Sequence, residues 1–457
     1  MQIKAEQGIG VKSYFRYYER RFRRDNEEMR QRRRIGVARA PCVPPAYPAS
    51  SEATPEAADP MTDTDYTLCT TPDVIAGAVA AITRADTVAF DTEFHSERTY
   101  VPRLMLLQVA TADGIWLVDP LAGVDLGPLY EALTAPGRLV VGHALKNDLR
   151  IVWLLTGRTP PSAWDTQTAA AFLGFGLQIG LAALLHSALG VHQPKGDQMA
   201  DWSQRPLPDR MLGYAAGDVR NLLELYRRQR AELTRRNRLA WVQEECAELT
   251  DPARYVRDPD SAFQKLKGGR RIDAREAGVL RALADERDAL AQEQDMVPHF
   301  LIPDDVVHLL ARAAPRARKD LDGDRRLQHR AVHRHADRWL AAIVRGLAAP
   351  HHGEPRNPPP PPELEAVAAL VMLGVQDLAQ RLEIAPQLLS KRDLLVHALR
   401  DGPHSREALA DAAQLRGWRR EVLGATLWDL VAGRLHAVCR PGGPAGVRVA
   451  FEGEAAA

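Results

Sequence analysis

The sequence has few cysteines and lacks long apolar runs. Its 4 cysteines are scattered along 457 residues without a Cys-x-x-Cys pair. This spacing argues against a disulfide framework or a zinc ribbon, and it favours a reducing compartment. No apolar run approaches the ~20 residues that a membrane-spanning helix needs, and the first residues do not follow the order of a secretory signal. We therefore expect a cytoplasmic protein that is neither exported nor inserted in a membrane.

Net charge is also almost absent, because 60 Lys and Arg stand against 59 Asp and Glu. Any attraction to a polyanion must therefore come from local clusters and not from the chain as a whole. What is present is typical of a globular protein, with 45% hydrophobic and 26% charged residues. A chain of this length exceeds one ordinary core, so two or three domains are expected.

Changes of composition divide the chain into segments. Residues 1–65 are first basic and then rich in proline, which predicts a disordered extension; Met61 within it is a candidate translation start. Residues 66–250 predict an α/β domain with a mixed sheet flanked by helices, and no strand pattern is seen beyond Ala240. The remaining segments are a helical domain at 260–348, a Pro-rich linker at 349–362, a second helical domain at 363–440 and a tail at 441–457.

Local patterns place the first elements of the α/β domain. An apolar helix is predicted over residues 75–82, followed by several short apolar runs with strand character. The predicted strands are 87–90, 104–110, 115–118 and 139–142.

Four acids and one phenol follow these strands and helices in an order that suits metal chemistry. Asp91 and Glu93 end an apolar strand and are two residues apart, so both face one side of the sheet. Asp148 follows the strand that ends at residue 142, and Tyr214 and Asp218 share one helix face. Hard divalent cations take oxygen ligands. Two such ions ~4 Å apart can activate a water and stabilise a leaving oxygen.

Six short motifs stand around and between these acids. They are 90–94 (Phe-Asp-Thr-Glu-Phe), 99–104 (Thr-Tyr-Val-Pro-Arg-Leu), 107–108 (Leu-Gln), 142–148, 164–168 (Trp-Asp-Thr-Gln-Thr) and 214–218 (Tyr-Ala-Ala-Gly-Asp). Together they resemble the ribonuclease D family, in the tyrosine-bearing subclass of the DEDD 3′-to-5′ exonucleases, over roughly residues 66–226. The helical segment at about 265–345 is similar to the helicase-and-ribonuclease-D C-terminal (HRDC) domain, and residues 363–437 match a second such domain more loosely.

The resemblance implies a ribonuclease H-like exonuclease fold followed by two all-α modules. It also implies two Mg²⁺ or Mn²⁺ ions, and hydrolysis of RNA from the 3′ end with release of nucleoside 5′-monophosphates. By motif position, Asp91, Glu93 and Asp218 would hold the tighter ion, and Asp91 and Asp148 the other. Tyr214 would position the attacking water. Precursors of tRNA are the implied substrate, and no small-molecule organic cofactor is implied.

Further polar and aromatic residues near these motifs are candidates for contacts with the substrate. Three of them have a structural alternative: a hydrogen-bonded histidine at a strand end, a glutamine that satisfies buried backbone, and a tryptophan that anchors a loop. Asp165 or Thr166 is predicted to cap a helix, and Asp165 is not expected to bind metal. The candidates are Gln108, His143, Lys195, Trp202 and Arg205.

A basic segment in the first helical domain gives a second indication of nucleic acid. Residues 312–345 hold ten Lys or Arg against four acids, and such a surface neutralises phosphates without reading sequence. The alternative is an ordinary solvated helix face.

Two other functions of the whole chain stay open. One is a DNA exonuclease of the same fold, because RNA selectivity depends on contacts to the 2′-hydroxyl. The other is a non-catalytic RNA-binding scaffold. The scaffold is disfavoured because all four acids are present.

Overall fold

The fold is taken from a computed structural model, which describes residues 65–193, 200–256, 260–268, 272–322, 325–327, 329–349, 361–400, 402–441 and 447–453. The chain forms two compact units. One holds residues up to 92, residues 106–252 and residues from 362 onward, and the other holds residues 93–105 and 253–361. In the described part of the chain, no helix is both long and apolar enough to cross a membrane.

A six-stranded mixed sheet forms the centre of the first unit. Across the sheet the strands run in the order β1-β4-β3-β2-β5-β6. Strands β3 and β4 are antiparallel, whereas β1 with β4, β2 with β5, and β5 with β6 are parallel. The predicted mixed α/β sheet is therefore confirmed, and β2 lies inside it. The strands are β1 (Tyr66–Cys69), β2 (Thr87–His95), β3 (Arg103–Thr111), β4 (Gly114–Val118), β5 (Leu139–Gly142) and β6 (Ser162–Asp165).

The interior strands are apolar on both faces, because helices cover the sheet. Val88, Ala89 and Phe90 of β2 are buried, and all of β3 after Arg103 is buried. Strands buried on both faces read as continuous apolar runs, which is why the sequence pattern located them. The helices of this part of the chain are α1 (Pro72–Arg84), α2 (Gly127–Leu133), α3 (Lys146–Thr156), α4 (Thr166–Ala171), α5 (Leu181–Leu189), α6 (Asp209–Arg220), α7 (Leu222–Arg235) and α8 (Leu239–Ala247).

The second unit is a helical bundle built around the long helix α10 and the helix α15. Trp339 is fully buried in its core. The two helices approach closely at Gly346, where a Cβ would lie 2.5 Å from the Cα of Val279. The loop between β2 and β3 belongs to this unit, since the Tyr100 hydroxyl donates to Asp288 Oδ2 at 2.7 Å. The helices are α9 (Ser261–Lys267), α10 (Ala274–Glu293), α11 (Pro298–Leu301), α12 (Asp304–Ala313), α13 (Arg318–Asp322), α14 (Arg330–Arg334) and α15 (Ala336–Ala348).

The C-terminal segment is helical as far as Val431 and belongs to the first unit together with the sheet. The expectation of no strand beyond Ala240 is wrong, because β7 and β8 form an antiparallel pair. Alternating apolar residues in 435–441 and 447–453 flank a Gly-Gly-Pro turn sequence, and this is a hairpin signal. The elements are α16 (Pro362–Arg381), α17 (Arg392–Arg400), α18 (Arg406–Ala412), α19 (Gly417–Val431), β7 (Leu435–Pro441) and β8 (Val447–Gly453).

Candidate active site

Three carboxylates from two elements meet at the sheet. Asp91 and Glu93 lie on β2, and Asp218 lies on α6. Each offers an oxygen, and these three oxygens lie within 4.8 Å of one another. Like charges at this separation repel unless a cation lies among them. The group therefore fits a divalent metal ion, because hard divalent cations prefer oxygen ligands.

Asp218 is the most buried of the three. Gln193 Nε2 donates a hydrogen bond to its Oδ1 at 2.8 Å, and the Tyr214 hydroxyl, one helical turn earlier, also bonds to this carboxylate. Burial raises the pKa of Asp218 to about 7, against the lowering effect of the two hydrogen bonds. A bound cation would act against burial and favour the ionised carboxylate.

The fourth acid, Asp148, lies in the first turn of α3 and is also buried. It is not part of the three-carboxylate group, but it is linked to the same strand. The hydroxyl of Thr92, which stands between Asp91 and Glu93 on β2, donates to Asp148 Oδ1. Burial raises the pKa of Asp148 to about 7, and the hydrogen bond from Thr92 lowers it. The structure thus places Asp148 as a further buried carboxylate beside β2, the strand that carries Asp91 and Glu93.

Asp165 organises the turn that leads into α3. Its carboxylate accepts hydrogen bonds from Ala144 N at 2.9 Å and from Leu145 N at 3.2 Å. It also accepts from the first backbone N–H groups of α4, so its predicted role as a helix cap is confirmed. One side chain therefore caps α4 and also holds the turn that precedes α3, the helix that carries Asp148.

Gly142 lets the chain pass close to β2 just before this turn. A Cβ at Gly142 would lie 2.8 Å from the carbonyl oxygen of Phe90 and 2.2 Å from Leu145 Cδ2. The backbone oxygen has no room to move, so a larger residue would push α3, and Asp148 with it, away from the strand.

His143 has both ring nitrogens in hydrogen bonds to the protein. Nε2 is 2.9 Å from Ile179 O, and Nδ1 is 2.9 Å from Thr166 Oγ1. A carbonyl can only accept, so Nε2 donates its proton to Ile179 O, while the Thr166 hydroxyl beside Nδ1 donates its own proton to Gly142 O at 3.0 Å. Burial lowers the pKa of His143, which keeps the ring neutral. These contacts favour the structural interpretation of His143 over contact with the substrate.

The other substrate candidates that the structure describes are buried or half-buried. Gln108 is fully buried, and Trp202 is 2% exposed, with its ring centroid 6.3 Å from that of Tyr214. Arg205 binds Asp119 through two hydrogen bonds of 2.6 and 2.7 Å and donates to Trp202 O at 2.9 Å. Arg205 and Trp202 therefore support the loop that precedes α6. Lys195 lies outside the described residues.

Two residues at the site were missed by the sequence reasoning. Thr92 and Gln193 each donate to a carboxylate of the site, Asp148 and Asp218 respectively. Thr92 could have been noticed, because it stands between the two acids of β2. Gln193 is 25 residues from Asp218 in the chain, in a segment without regular structure, and no spacing rule connects the two.

Sequence comparisons agree with this geometry. A 3′-5′ exonuclease family profile matches residues 66–234, and an HRDC domain profile matches residues 276–343. Ribonuclease D of Gluconacetobacter diazotrophicus is 35% identical over 385 residues, which cover 81% of this chain and 94% of the relative. Ribonuclease D of Sphingobium indicum is 34% identical over 380 residues, covering 81% and 95% of the two chains.

Solved structures agree as well. The crystal structure of Escherichia coli RNase D, described as an exoribonuclease involved in structured RNA processing, matches with a TM-score of 0.69 and 27% identity, covering 81% of this chain and 99% of that one. A protein from Bifidobacterium adolescentis matches with a TM-score of 0.60 and 25% identity over 80% and 97% of the two chains. The two ribonuclease D relatives share 35% and 34% of their residues with this chain and are matched over 94% and 95% of their length, which shows the family. The chain therefore belongs to the ribonuclease D family of 3′-5′ exoribonucleases.

Proposed function

We propose that this exoribonuclease trims the 3′ ends of structured RNA, such as tRNA precursors, and releases nucleoside 5′-monophosphates with the help of two divalent cations, Mg²⁺ or Mn²⁺. The observation that carries the proposal is the group formed by Asp91, Glu93 and Asp218. The E. coli protein of similar fold, described as acting in structured RNA processing, supports the substrate class.

In this proposal the acids divide between two metal positions. Asp91, Glu93 and Asp218 hold one ion, and Asp91 and Asp148 hold the other. Bound divalent cations supply activation of water and stabilisation of the negative charge that develops in phosphoryl transfer. The raised pKa of Asp148 and of Asp218 fits carboxylates that are buried to receive a cation.

Tyr214 orients the attacking water through its hydroxyl. A phenol with a pKa of ~10 is protonated at neutral pH, so it suits positioning by hydrogen bonds better than removal of a proton. Its hydroxyl already lies at the site, since it bonds to Asp218. Trp202 packs beside the ring and supports its orientation.

Residues outside this group are given roles around the RNA channel and not in the reaction. Gln108, His143, Lys195, Trp202 and Arg205 are proposed to shape or line the RNA channel, in most cases by supporting its walls. The HRDC domain is proposed to hold structured RNA through its basic segment. A second HRDC-like domain in the C-terminal segment and a cytoplasmic location also stay predictions.

A single set of assays tests the proposal. Purified protein is given a tRNA precursor with a 3′ extension, a single-stranded RNA and a DNA of the same sequence, each with Mg²⁺, Mn²⁺ or EDTA. We expect a ladder of products shortened from the 3′ end, nucleoside 5′-monophosphates as the released species, and no reaction in EDTA. Faster degradation of the DNA would favour the alternative of a DNA exonuclease. Binding of RNA without cleavage at any metal concentration would favour a scaffold.

A further inference from the structure

Gln193 contacts the candidate metal ligand Asp218 directly. Its side-chain amide donates from Nε2 to Asp218 Oδ1 at 2.8 Å. The amide oxygen of Gln193 is buried and accepts no hydrogen bond from the described residues. An unpaired buried acceptor typically costs ~1–3 kcal/mol of stability. This arrangement is therefore not explained by stability alone.

Gly217 provides the space for this contact. It lies inside α6, next to Asp218, where glycine costs roughly 0.5–1 kcal/mol relative to alanine. A Cβ at Gly217 would lie 3.2 Å from Gln193 Nε2 and 3.8 Å from Gln193 Cδ. That separation is tight for a Cβ, so an alanine would push the amide outward by a few tenths of an ångström. The absence of a side chain at 217 thus lets the amide of Gln193 reach the carboxylate.

We propose that Gln193 is a positioning residue for the metal centre: its amide holds Asp218 Oδ1 so that the carboxylate is oriented for binding a divalent cation, and Gly217 is the small residue that this contact requires. The inference rests on the proposed metal-binding role of Asp218. It adds a residue that acts through the ligand and does not itself coordinate the ion.

The chemistry of the donor suits this role. A neutral amide orients a carboxylate without placing a positive charge that would compete with the cation, as an Arg or Lys would. The hydroxyl of Tyr214, which also bonds to Asp218, is neutral as well. Outer partners of metal ligands typically contribute 10–100-fold in metal affinity. A carboxylate that is free to rotate must lose that freedom when the ion binds.

The test measures Mn²⁺ binding in the absence of RNA, so it does not depend on activity. The variants of the full-length protein are Gln193→Met, which keeps the length of the side chain and removes the donor, Gly217→Ala, and the double variant. Gln204→Met is the matched control, because the side chain of this exposed glutamine forms one hydrogen bond with the described residues, to Met211 Sδ at 3.0 Å. Wild-type protein and Asp218→Asn define full and lost binding. The dissociation constant is measured by calorimetry and by the electron paramagnetic resonance signal of free Mn²⁺.

We expect Gln193→Met to weaken Mn²⁺ binding by about 10-fold or more, and Gln204→Met to change it by less than about 2-fold. Gly217→Ala should weaken binding in the same direction. The double variant should be no weaker than Gln193→Met, because both changes break one contact. Single-turnover cleavage should then recover toward the wild-type rate when the metal concentration is raised.

Two different failures can be told apart. If wild-type protein binds Mn²⁺ and loses it in Asp218→Asn, but Gln193→Met binds as tightly as wild type, the inference about Gln193 is overturned and the metal site stands. If wild-type protein and Asp218→Asn bind Mn²⁺ equally, the proposed metal site fails, and the inference fails with it. Additive effects of Gln193→Met and Gly217→Ala would overturn the role given to Gly217.

Discussion

The indole of Trp418 stacks on the indole of Trp241, with ring centroids 5.0 Å apart and planes 18° from parallel. Trp418 lies in the C-terminal helix α19, whereas Trp241 lies in α8 of the exonuclease region. Trp418 also donates from Nε1 to Glu245 at 2.9 Å and from its backbone N to Glu244 at 3.2 Å. The last helical segment is therefore packed into the unit that contains the sheet, and does not form a separate body.

We expect Trp418→Ala to lower the free energy of unfolding by about 3–5 kcal/mol, because it removes a buried indole that contacts two other aromatic rings. Denaturation by urea, followed by fluorescence and circular dichroism, measures the loss. Arg420→Ala is the control on the same helix, since Arg420 forms an exposed pair with Asp411 and should contribute less than about 1 kcal/mol. Equal stability of the two variants would mean that the contact between Trp418 and Trp241 contributes little.

The buried carboxylates predict a dependence of stability on pH in metal-free protein. The pKa of Asp148 and of Asp218 is raised to about 7, while an unfolded aspartate has a pKa of ~3.9. Between these values the folded state binds more protons than the unfolded state. The free energy of unfolding therefore falls as the pH rises from about 4 to about 7.

The corresponding measurement is urea denaturation in EDTA from pH 5 to pH 8. Asp218→Asn removes one of the two groups, so its stability should fall less steeply with pH than that of wild type. At pH 8 it should be more stable than wild type by about 1 kcal/mol or more. In a parallel series without EDTA, Mn²⁺ should stabilise the wild type and not the variant. Parallel stability curves for the two proteins would contradict this electrostatic account.

Tyr214→Phe should reduce turnover less than the loss of a metal-binding aspartate. The ring keeps its packing beside Trp202, and only the hydroxyl that bonds to Asp218 is removed. Groups that orient a reactant or move a proton contribute ~10²–10⁴-fold. Single-turnover cleavage at saturating Mn²⁺ is the measurement, because saturation separates the loss of rate from any loss of Mn²⁺ affinity that follows when the bond to Asp218 is removed. An unchanged rate would leave Tyr214 with a packing role alone.

Several arginines of the basic segment at 312–345 form ion pairs, so less of its positive charge is unpaired than the sequence count suggests. Arg318 pairs with Asp337 inside the segment, at 2.6 Å. Three more arginines pair with acids of α10, which the count over 312–345 did not include. The pairs are Arg312 with Glu276, Arg338 with Glu286 and Glu293, and Arg345 with Glu286.

The paired and unpaired arginines should therefore differ in RNA binding. Arg330 and Arg334 are exposed and form no ion pair with the described residues. Replacing both by alanine should make the fall of log affinity with log salt shallower. The magnitude of the slope should drop by about 1.4, or 0.7 for each contact with single-stranded RNA. Replacing Arg338 and Arg345, which are held by carboxylates, is the control and should change the slope less. Equal slopes for wild type and both double variants would mean that the segment does not bind RNA and is an ordinary solvated surface.

The sequence located the acidic group because its signals are local. Asp91 and Glu93 stand at fixed positions on a strand whose apolar residues are contiguous, and Asp218 follows Tyr214 by one helical turn. The motifs around them are specific enough to indicate the family as well. The structure brings Asp91, Glu93 and Asp218 together in the way that these patterns indicate.

Contacts between distant residues were not predictable in this way. Hydrogen bonds join Gln193 to Asp218 and Trp418 to Glu245, and the members of each pair are far apart in the chain. No periodic pattern in the sequence indicates such a pair. The charge count over 312–345 overestimated the free positive charge, because the compensating acids lie on a different helix. The hairpin of β7 and β8, in contrast, had an alternating pattern that should have been read as strands.

The measurement that tests the central claim most directly is the release of nucleotide from the 3′ end by three proteins. Wild type, Asp91→Asn and Asp218→Asn are given RNA labelled at its 3′-terminal nucleotide, in single-turnover conditions with saturating Mn²⁺. We expect wild type to release labelled nucleoside 5′-monophosphate, and each variant to lose at least about 100-fold in rate while still binding the RNA. Retention of more than about a tenth of the wild-type rate by either variant, a loss below roughly 1.4 kcal/mol of transition-state stabilisation, would contradict the assignment of these carboxylates to the metal centre.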